Sequence, residues 1–570
     1  MTYYLITCDI NALYRTGTGS VQDQPNALYR GGKARTCPYR PCTGPYRKAA
    51  VKGIPPLYRK KGHVRGRTGS KPLSIQYLWV DRLCILQDDQ DALNREISKM
   101  SSIYACSTFT IVAGSGPNDQ HGIPGVVSPR KISHTAVRFN SSWLFAFDDP
   151  EWHEGRDIWH TRAWTFQERL VPQRCLVFYK NSVKWECGRH SRHELFEKGG
   201  SIRDKHLGIK SRPWPNVQQY TNLVRAYTSR QLSFQTDALN AFSAVLHTLE
   251  PSFPGGFTFG LPDFLFDQFL TWRPGLRQVQ RVNFPSWSWL GWQGNMEPGW
   301  MSADWEPTLM WAPRYRYISR SMIKWQKEDR TTLAKFTIES TASKWLLFKG
   351  HWYLNDELPD GWEEVPNPIN TYRHKTLSNS ELGLEEGDHL YHPVPIRSCA
   401  EDSKPIDLLR WSPILRGRAL VSKLVIGDLF VQPELDGNNP FHTPGLFIKP
   451  TTSEPVCFDL LDTGFNWCGM ILANDLAPEA HARGTTCEVV AISEGAINGR
   501  QESQEGWERR IVQERIRNVD DEYDAATVIE VIHVIWIQWE KGIAYRRGIG
   551  RIWKELWGGL SSSEIDLVLG

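Results

Sequence analysis

The chain has 570 residues, of which 67 are Lys or Arg, 63 are Asp or Glu, and 40% are hydrophobic. Its 25 Trp, 19 Tyr and 23 Phe exclude a wholly disordered or fibrous protein, because so much aromatic surface has to be buried. The length predicts two or three packed domains rather than one.

The 11 cysteines are scattered and odd in number, which favours a reducing compartment. We therefore expect a cytoplasmic protein. The strongest apolar run, residues 528–537, is interrupted by Glu530 and His533. It is too short for a bilayer, which takes about 20 apolar residues to cross, so no membrane span is predicted.

The first 72 residues form a basic arm, with 14 Lys and Arg against the two acidic residues Asp9 and Asp23. The dipeptide Tyr-Arg recurs in it five times, without helical or strand periodicity. Too little apolar surface is present to offset the entropy of ordering, so we predict disorder. A solvated low-complexity tail is favoured over a nucleic-acid-binding patch, and nucleic acid is not an expected partner.

A strand, helix and second strand are predicted after the arm. Residues 77–81 have the composition of a buried strand, and Asp88 and Asp89 supply caps for a helix. Apolar residues then recur at helical spacing, at Leu93, Ile97, Met100 and Tyr104. Residues 108–113 form the second strand, and the three elements together predict a parallel βαβ unit.

Further elements follow in chain order. We predict a helix over residues 160–170, a hairpin of residues 174–179 and 182–187, and mostly helix over 220–249. Trp287 and Trp289 are predicted on one face of a strand and in the core. Later strands are predicted at residues 345–353, 419–431, 487–492 and 531–539, with a closing segment at 543–557.

Glu96 is the carboxylate that stands out on the predicted helix. At 100° per residue it falls between Ile103 and Met100, inside the apolar arc, whereas Arg95 falls on the opposite side. Directing a carboxylate toward a core or cleft costs free energy of folding unless it forms an ion pair or has a catalytic or binding role. The alternative is a boundary residue that turns to water or pairs with a basic neighbour.

Glu168 is a second carboxylate candidate, four residues after Trp164 on another predicted helix. Two inward carboxylates on separate helices could act as a general acid and base. The favoured alternative for Glu168 is a surface ion pair with Arg162 or Arg169. No metal site is predicted, because the spacing of Cys187, His190 and His193 lacks a matching second ligand group.

Three blocks of the sequence resemble the HET (heterokaryon incompatibility) domain proteins of filamentous fungi. They are residues 77–87 (Tyr-Leu-Trp-Val-Asp-Arg-Leu-Cys-Ile-Leu-Gln), 162–169 (Arg-Ala-Trp-Thr-Phe-Gln-Glu-Arg) and 285–289 (Pro-Ser-Trp-Ser-Trp). The resemblance extends over residues 73–300 and the C-terminal segment. It departs from the family at the start, where the basic arm replaces the usual opening strand.

The resemblance implies a mixed α/β and α+β chain. Its HET domain is expected to have a TIR-like (flavodoxin-like) parallel α/β fold that is incomplete at its N-terminus, followed by helices and a β-rich C-terminal domain. The domains expected are the arm at 1–72, the HET domain at 73–185, a helical connecting region at 186–300 and the β-rich domain at 301–570.

The resemblance also implies a role in allorecognition and programmed cell death when genetically different hyphae fuse. Other incompatibility proteins, or further copies of the chain, are the partners it implies. Some TIR-fold proteins cleave NAD at the nicotinamide glycosidic bond with a helical Glu. By this resemblance Glu96 is the catalytic candidate of an NAD glycohydrolase, with NAD as substrate and no cofactor.

The same resemblance suggests the remaining site residues. Trp79, Asp81 and Gln87 are the expected substrate-binding residues, and Glu168 and Trp164 are secondary candidates. Two alternatives stay open at this point, a non-catalytic interaction and signalling module and an inactive degenerate paralogue.

Overall fold

The computed structural model describes residues 5–8, 79–86, 88–116, 121–126, 135–139, 142–146, 158–187, 191–194, 209, 212–275, 278–297, 318–340, 358–366, 371–384, 387–396, 410–430, 456–475, 484–498 and 528–570. The chain divides into two compact units. The first contains Met1–Ile209 and Asn240–Ala244, and the second contains Lys210–Leu239 and Val245–Gly570. None of the helices in the described ranges is long and apolar enough to cross a membrane.

The first unit is mixed helix and strand. Its elements are β1 (Leu5–Cys8), α1 (Asp81–Cys84), α2 (Gln90–Ala105), β2 (Ser107–Ala113), β3 (Thr135–Phe139), β4 (Ser142–Ala146), α3 (Ile158–Thr161), α4 (Trp164–Leu170), β5 (Arg174–Phe178), β6 (Val183–Cys187) and β7 (Ser191–His193). A five-stranded sheet has the order β1-β2-β5-β6-β7, and β3 and β4 form a separate hairpin. Helix α2 packs against β2 and α4.

Most predicted elements of this unit are confirmed. Helix α2 buries Met100 and Tyr104, as its apolar periodicity predicts. Strands β5 and β6 form the predicted hairpin, whose turn is closed by the Tyr179 amide donating to the Ser182 carbonyl over 2.9 Å. The helix expected at 160–170 is divided into α3 and α4. In the sheet, β2 pairs in parallel with β5.

Two expectations differ from the structure. Leu5–Cys8 pairs antiparallel with β2, so disorder does not hold for these four residues. The apolar and β-branched side chains of that segment favour a strand, and the edge of β2 supplies its backbone hydrogen bonds. The rest of the predicted arm lies outside the described residues. The strand predicted over 77–81 is also wrong in its described part, because Trp79 and Val80 belong to none of the strands and Asp81 begins α1, where an acidic residue stabilises the helix N-terminus. The predicted parallel βαβ unit is therefore not formed there, and β2 pairs with β1 and β5 instead.

The second unit begins with helices and continues as a β-rich region, as predicted. Its helices are α5 (Val217–Thr228), α6 (Ser243–Leu249, which starts in the first unit), α7 (Phe266–Phe269) and α8 (Lys554–Trp557), with 3₁₀ turns at Gln235–Asp237, Glu250–Ser252, Asp263–Leu265 and Trp289–Gly291. The 3₁₀ turn Asn240–Phe242 belongs to the first unit. Short strands pair as hairpin-like ribbons, β8 (Phe257–Thr258) with β9 (Leu261–Pro262), β10 (Arg273–Pro274) with β13 (Met296–Glu297), β11 (Val279–Gln280) with β12 (Trp292–Gln293), and β17 (Trp362–Val365) with β18 (Thr371–His374).

A ten-stranded sheet dominates the second unit. Its strands are β14 (Ile318–Ser321), β15 (Gln326–Asp329), β16 (Lys335–Thr337), β19 (Trp411–Phe430), β20 (Val456–Leu461), β21 (Trp467–Ala473), β22 (Thr486–Asn498), β23 (Val528–Glu540), β24 (Ile543–Trp553) and β25 (Ser562–Leu569). Strand β19 is long enough to pair with β15 and β25 along its first half and with β20 and β22 along its second. The four strand predictions beyond residue 300 are thus confirmed except for 345–353, which lies outside the described residues.

The tryptophans near residue 290 are buried, as predicted, but they do not lie on a strand. Trp289 begins a 3₁₀ turn in which the Ser288 hydroxyl accepts a hydrogen bond from the Leu290 amide over 3.0 Å. A Cβ atom at Gly291 would lie 2.3 Å from the Pro285 carbonyl oxygen, so only glycine allows the chain to turn this closely. The capping serine and the glycine therefore override the strand propensity of the aromatic residues.

Asp267 on α7 is predicted to make stability depend on pH. Burial raises the pKa of its carboxyl group to about 6, while a hydrogen bond from Trp325 opposes the shift. A raised acid pKa means that the folded state holds the proton more tightly. The protonated carboxyl group therefore stabilises the fold below about pH 4. As the pH rises through about 6 this contribution is lost, and the free energy of unfolding falls by roughly 3 kcal/mol.

The Asp267→Asn variant removes this titration and retains an acceptor for Trp325. We expect it to be more stable than the parent at pH 7.5 and to show no gain at pH 4. Urea unfolding of both proteins at the two pH values measures the difference. An equal free-energy difference at both pH values would show that folding does not raise the pKa of Asp267.

Candidate functional site

Glu96 lies at the edge of the buried face of α2. Its side chain retains 25% of its full exposure, and Lys99 Nζ lies 3.0 Å from Glu96 Oε1. Arg95, the preceding residue, is exposed, as the helical geometry predicts. The Glu96 carboxylate therefore pairs with Lys99 of the same helix and remains accessible to solvent.

The other residues expected near Glu96 have different environments. The Trp79 ring meets Tyr104 edge-on, with centroids 5.8 Å apart, and both Trp79 and Trp164 pack against the core beneath α2. Asp81 is half-buried in the first turn of α1. Gln87 lies outside the described residues. The structure thus brings Trp79 and Trp164 together through packing, and substrate binding by these side chains stays a prediction.

Helix α4 is buried on all sides, although it is only seven residues long. Thr165, Phe166, Gln167, Glu168 and Arg169 all have less than a tenth of their surface exposed. The Thr165 hydroxyl lies 2.6 Å from the Trp159 carbonyl and 2.8 Å from that of Arg162, which ties α4 to α3. The expected surface position of Glu168 is therefore wrong, since its side chain is 2% exposed.

Arg169 is the centre of a buried group of polar side chains, here called the ionic cluster (His160, Arg169, Lys184 and Glu186). One guanidinium nitrogen of Arg169 lies 2.5 Å from His160 Nε2. The other donates to both carboxylate oxygens of Glu186, at 3.0 and 3.3 Å. Lys184 Nζ lies 2.9 Å from Glu186 Oε1. The cluster therefore links α3, α4 and the second strand of the hairpin.

The hydrogen bond between Arg169 and His160 fixes the state of the histidine. A guanidinium group can only donate, so Nε2 of His160 has to accept, and the imidazole is neutral with its proton on Nδ1. A protonated ring would place two cations in contact at a buried position. The cluster requires a neutral His160 for its geometry.

Cys175 on β5 lies beside the ionic cluster. Burial raises the pKa of its thiol to about 12, the negative charge of Glu186 acts in the same direction, and Arg169 opposes it. Its sulfur lies 3.8 Å from the Arg169 carbonyl oxygen. Because the thiolate is the reactive form, this cysteine is a structural residue rather than a nucleophile at neutral pH.

The ionic cluster was not foreseen from the sequence. Lys184 and Glu186 alternate with Val183, Trp185 and Cys187 along β6, a pattern that ordinarily places the charges in solvent. In the structure both charged side chains are buried, and the apolar ones between them are only half-buried. The available signal was the pair of basic residues Arg162 and Arg169 on a helix that is otherwise apolar or uncharged apart from Glu168.

These contacts separate the two carboxylate candidates chemically. Glu168 is enclosed on α4 next to the ionic cluster, where it cannot meet a substrate without opening of the core. Glu96 keeps part of its surface and its ion pair with Lys99, so it can approach a bound molecule. Glu96 is therefore the more accessible of the two carboxylates, and its catalytic role stays a prediction, whereas the side chains of α4 and its cluster are buried.

Comparison with known proteins identifies a family for part of the first unit. Residues 65–168 match the family model described as heterokaryon incompatibility protein (HET). The match extends from before α1 to Glu168 on α4 and includes Glu96. No curated protein and no solved structure matches the chain. The chain therefore contains a HET domain, and the protein is a HET domain-containing protein.

Proposed function

We propose that this protein acts in heterokaryon incompatibility as an effector of growth arrest and cell death, and that its HET domain cleaves NAD. The HET match over residues 65–168 supports the incompatibility role. Among the described strands of its sheet, β2 and β5 pair in parallel and the other neighbours pair antiparallel, so the TIR-like part of the proposal rests on the sequence resemblance. The single observation that carries the enzymatic part is the position of Glu96, partly inward on α2 yet still accessible.

In the proposed reaction, water hydrolyses the glycosidic bond between nicotinamide and the ribose of NAD. The bond from ribose carbon to the ring nitrogen breaks with its electron pair leaving on nicotinamide, and water supplies the new oxygen and releases a proton. Positive charge develops on the ribose as nicotinamide departs, and the Glu96 carboxylate stabilises it. Lys99 orients that carboxylate through the 3.0 Å contact between its Nζ and Glu96 Oε1.

A second candidate function is a non-catalytic module that signals by association. The ion pair between Glu96 and Lys99 favours it, because a partner three residues away on the same helix is a sufficient structural reason for a half-buried carboxylate. In that case Glu96 contributes a few tenths of a kcal/mol to helix stability, as exposed pairs at this spacing do, and the death signal comes from contacts with other proteins.

Expression in a filamentous fungus separates the two functions. We expect the full chain to arrest growth and Glu96→Gln to abolish the arrest, because the amide cannot stabilise the developing charge. Asp88→Asn is the matched control, since Asp88 is an exposed carboxylate just before α2. Arrest that persists with Glu96→Gln at equal protein level would favour the association module and contradict the enzymatic one.

A further inference from the structure

We propose that the second unit binds a small dianion, of the size of a phosphate group, at a cavity beside β15. The cavity has a volume of about 130 Å³. It is lined by residues of three neighbouring strands, Gln326, Lys327, Glu328, Lys335, Ser412, Ile414 and Arg416. Nothing in the proposed function of the HET domain requires this site, and it stands on separate observations.

Strand register explains why these side chains meet. Strand β15 lies between β16 and β19, and Gln326 faces Arg416 across one pair of strands. Glu328 faces Lys335 across the other pair. Residues two apart on a strand share a face, so Gln326 and Glu328 direct their side chains to the same side of the sheet. The cavity is therefore built from regular strand positions and not from a loop.

Two cations of this cavity, Lys335 and Arg416, are exposed. Neither forms an ion pair within the described part of the chain, although Glu328 lies opposite Lys335 on the neighbouring strand. The register explains why Arg416 forms no ion pair: its cross-strand neighbours on the two sides are Gln326 and Val568, and both are uncharged. Arg418, two residues along the same strand, lies opposite Asp566 and has that carboxylate oxygen 3.6 Å away.

Lys327, between Gln326 and Glu328, also borders the cavity, but its ammonium group is buried against other partners. It contacts Asp263, donates to the Thr258 hydroxyl over 3.0 Å and lies 4.0 Å above the Trp411 ring. Its charge is thus balanced by Asp263. The free positive charge of the cavity comes from Lys335 and Arg416, and only Glu328 opposes it.

The size and donors of the cavity select the ligand class. Pockets for drug-sized ligands occupy about 300–1,000 Å³, whereas a water molecule takes about 30 Å³. A cavity of about 130 Å³ therefore holds one phosphate-sized group and not a whole nucleotide. The Arg416 fork matches phosphate geometry, and Lys335 adds a point charge, with the Gln326 amide as a further donor.

Isothermal titration of the full chain with inorganic phosphate at pH 7.5 and low salt tests the site. We expect saturable binding that weakens as NaCl is added. The double variant Lys335→Gln with Arg416→Gln should bind about 100-fold more weakly, since each of the two lost charge-assisted hydrogen bonds accounts for about ten-fold in affinity. Glu328→Gln should bind more tightly, because it removes the opposing carboxylate.

Arg418→Gln is the matched control and should bind phosphate as the parent does, because Arg418 is already paired with Asp566. All the altered side chains lie at the surface or the cavity rim, and equal thermal unfolding would show that the variants are folded. Absence of phosphate binding by the parent, or equal binding by the double variant, would overturn the site. Acetate binding as tight as phosphate binding would overturn its assignment to a dianion.

Discussion

Replacement of Arg169 by methionine is expected to destabilise the first unit by about 3–5 kcal/mol. Methionine fills a similar volume, but it leaves His160 Nε2 without its donor and removes one of the two cations that contact Glu186. Breaking a buried ion pair by removing one partner costs about this amount. Glu186 would keep Lys184 as its cation but lose the two donors of the guanidinium group. The loss is large compared with the 5–15 kcal/mol by which domains are usually stable.

Urea unfolding followed by far-ultraviolet circular dichroism measures this effect. Arg192→Met is the matched control, since Arg192 is an exposed arginine on β7 of the same sheet, and we expect its effect to stay within about 0.5 kcal/mol. Arg169→Lys should recover only part of the lost stability, because an ammonium group cannot donate to His160 and Glu186 in the same fork geometry. Equal stability of Arg169→Met and the parent would show that the cluster does not hold the unit together.

Replacement of Arg546 on β24 by methionine is expected to destabilise the second unit by about 3 kcal/mol. Its guanidinium group is completely buried, donates to the Leu270 carbonyl over 2.7 Å and to the Trp272 carbonyl, and lies 3.6 Å from the centre of the Trp272 ring. Burial lowers the pKa of Arg546, but its two carbonyl acceptors and the ring favour the charged form. Methionine would leave two buried carbonyl groups unsatisfied, at about 1–3 kcal/mol each, offset by the removal of a buried charge.

The neighbouring Arg547 supplies the control for this variant. It pairs with Asp475 over 3.0 Å and keeps 24% of its side-chain exposure. Arg547→Met should therefore cost about 1 kcal/mol or less, as partly exposed ion pairs usually do. Thermal unfolding of the two variants compares them, and a loss for Arg547→Met as large as that for Arg546→Met would contradict the bridging role of Arg546.

Local patterns predicted much of the fold, because they depend on residues close in the chain. The apolar period of α2 and the short turn between β5 and β6 act within a few residues. The parallel pairing of β2 with β5 joins segments about 60 residues apart, and no local pattern encodes it. The turn at Trp289 depends on the close approach of Gly291 to Pro285, which appears only once the chain is folded.

The part of the candidate site that could be predicted is the position of Glu96 on its helix, because helical geometry determines it. The angular position of Glu96 relative to Met100 correctly indicated an inward-leaning carboxylate, and Lys99 is the basic partner that the alternative interpretation anticipated. The burial of Glu168 was missed, because Arg162 and Arg169 suggested a surface ion pair, whereas tertiary contacts enclose α4. Lys184 and Glu186 were missed for the same reason, since only their partners on α3 and α4 explain charges on an inner strand face.

The proposed role of Glu96 is tested most directly by the rate of nicotinamide release from NAD by the purified, concentrated protein. We predict measurable release by the parent and by Asp88→Asn, and a rate at least about 100-fold lower for Glu96→Gln, as expected when a group that stabilises transition-state charge is removed. Circular dichroism of the variant should match that of the parent. Release at the parent rate by a folded Glu96→Gln protein would contradict the proposal.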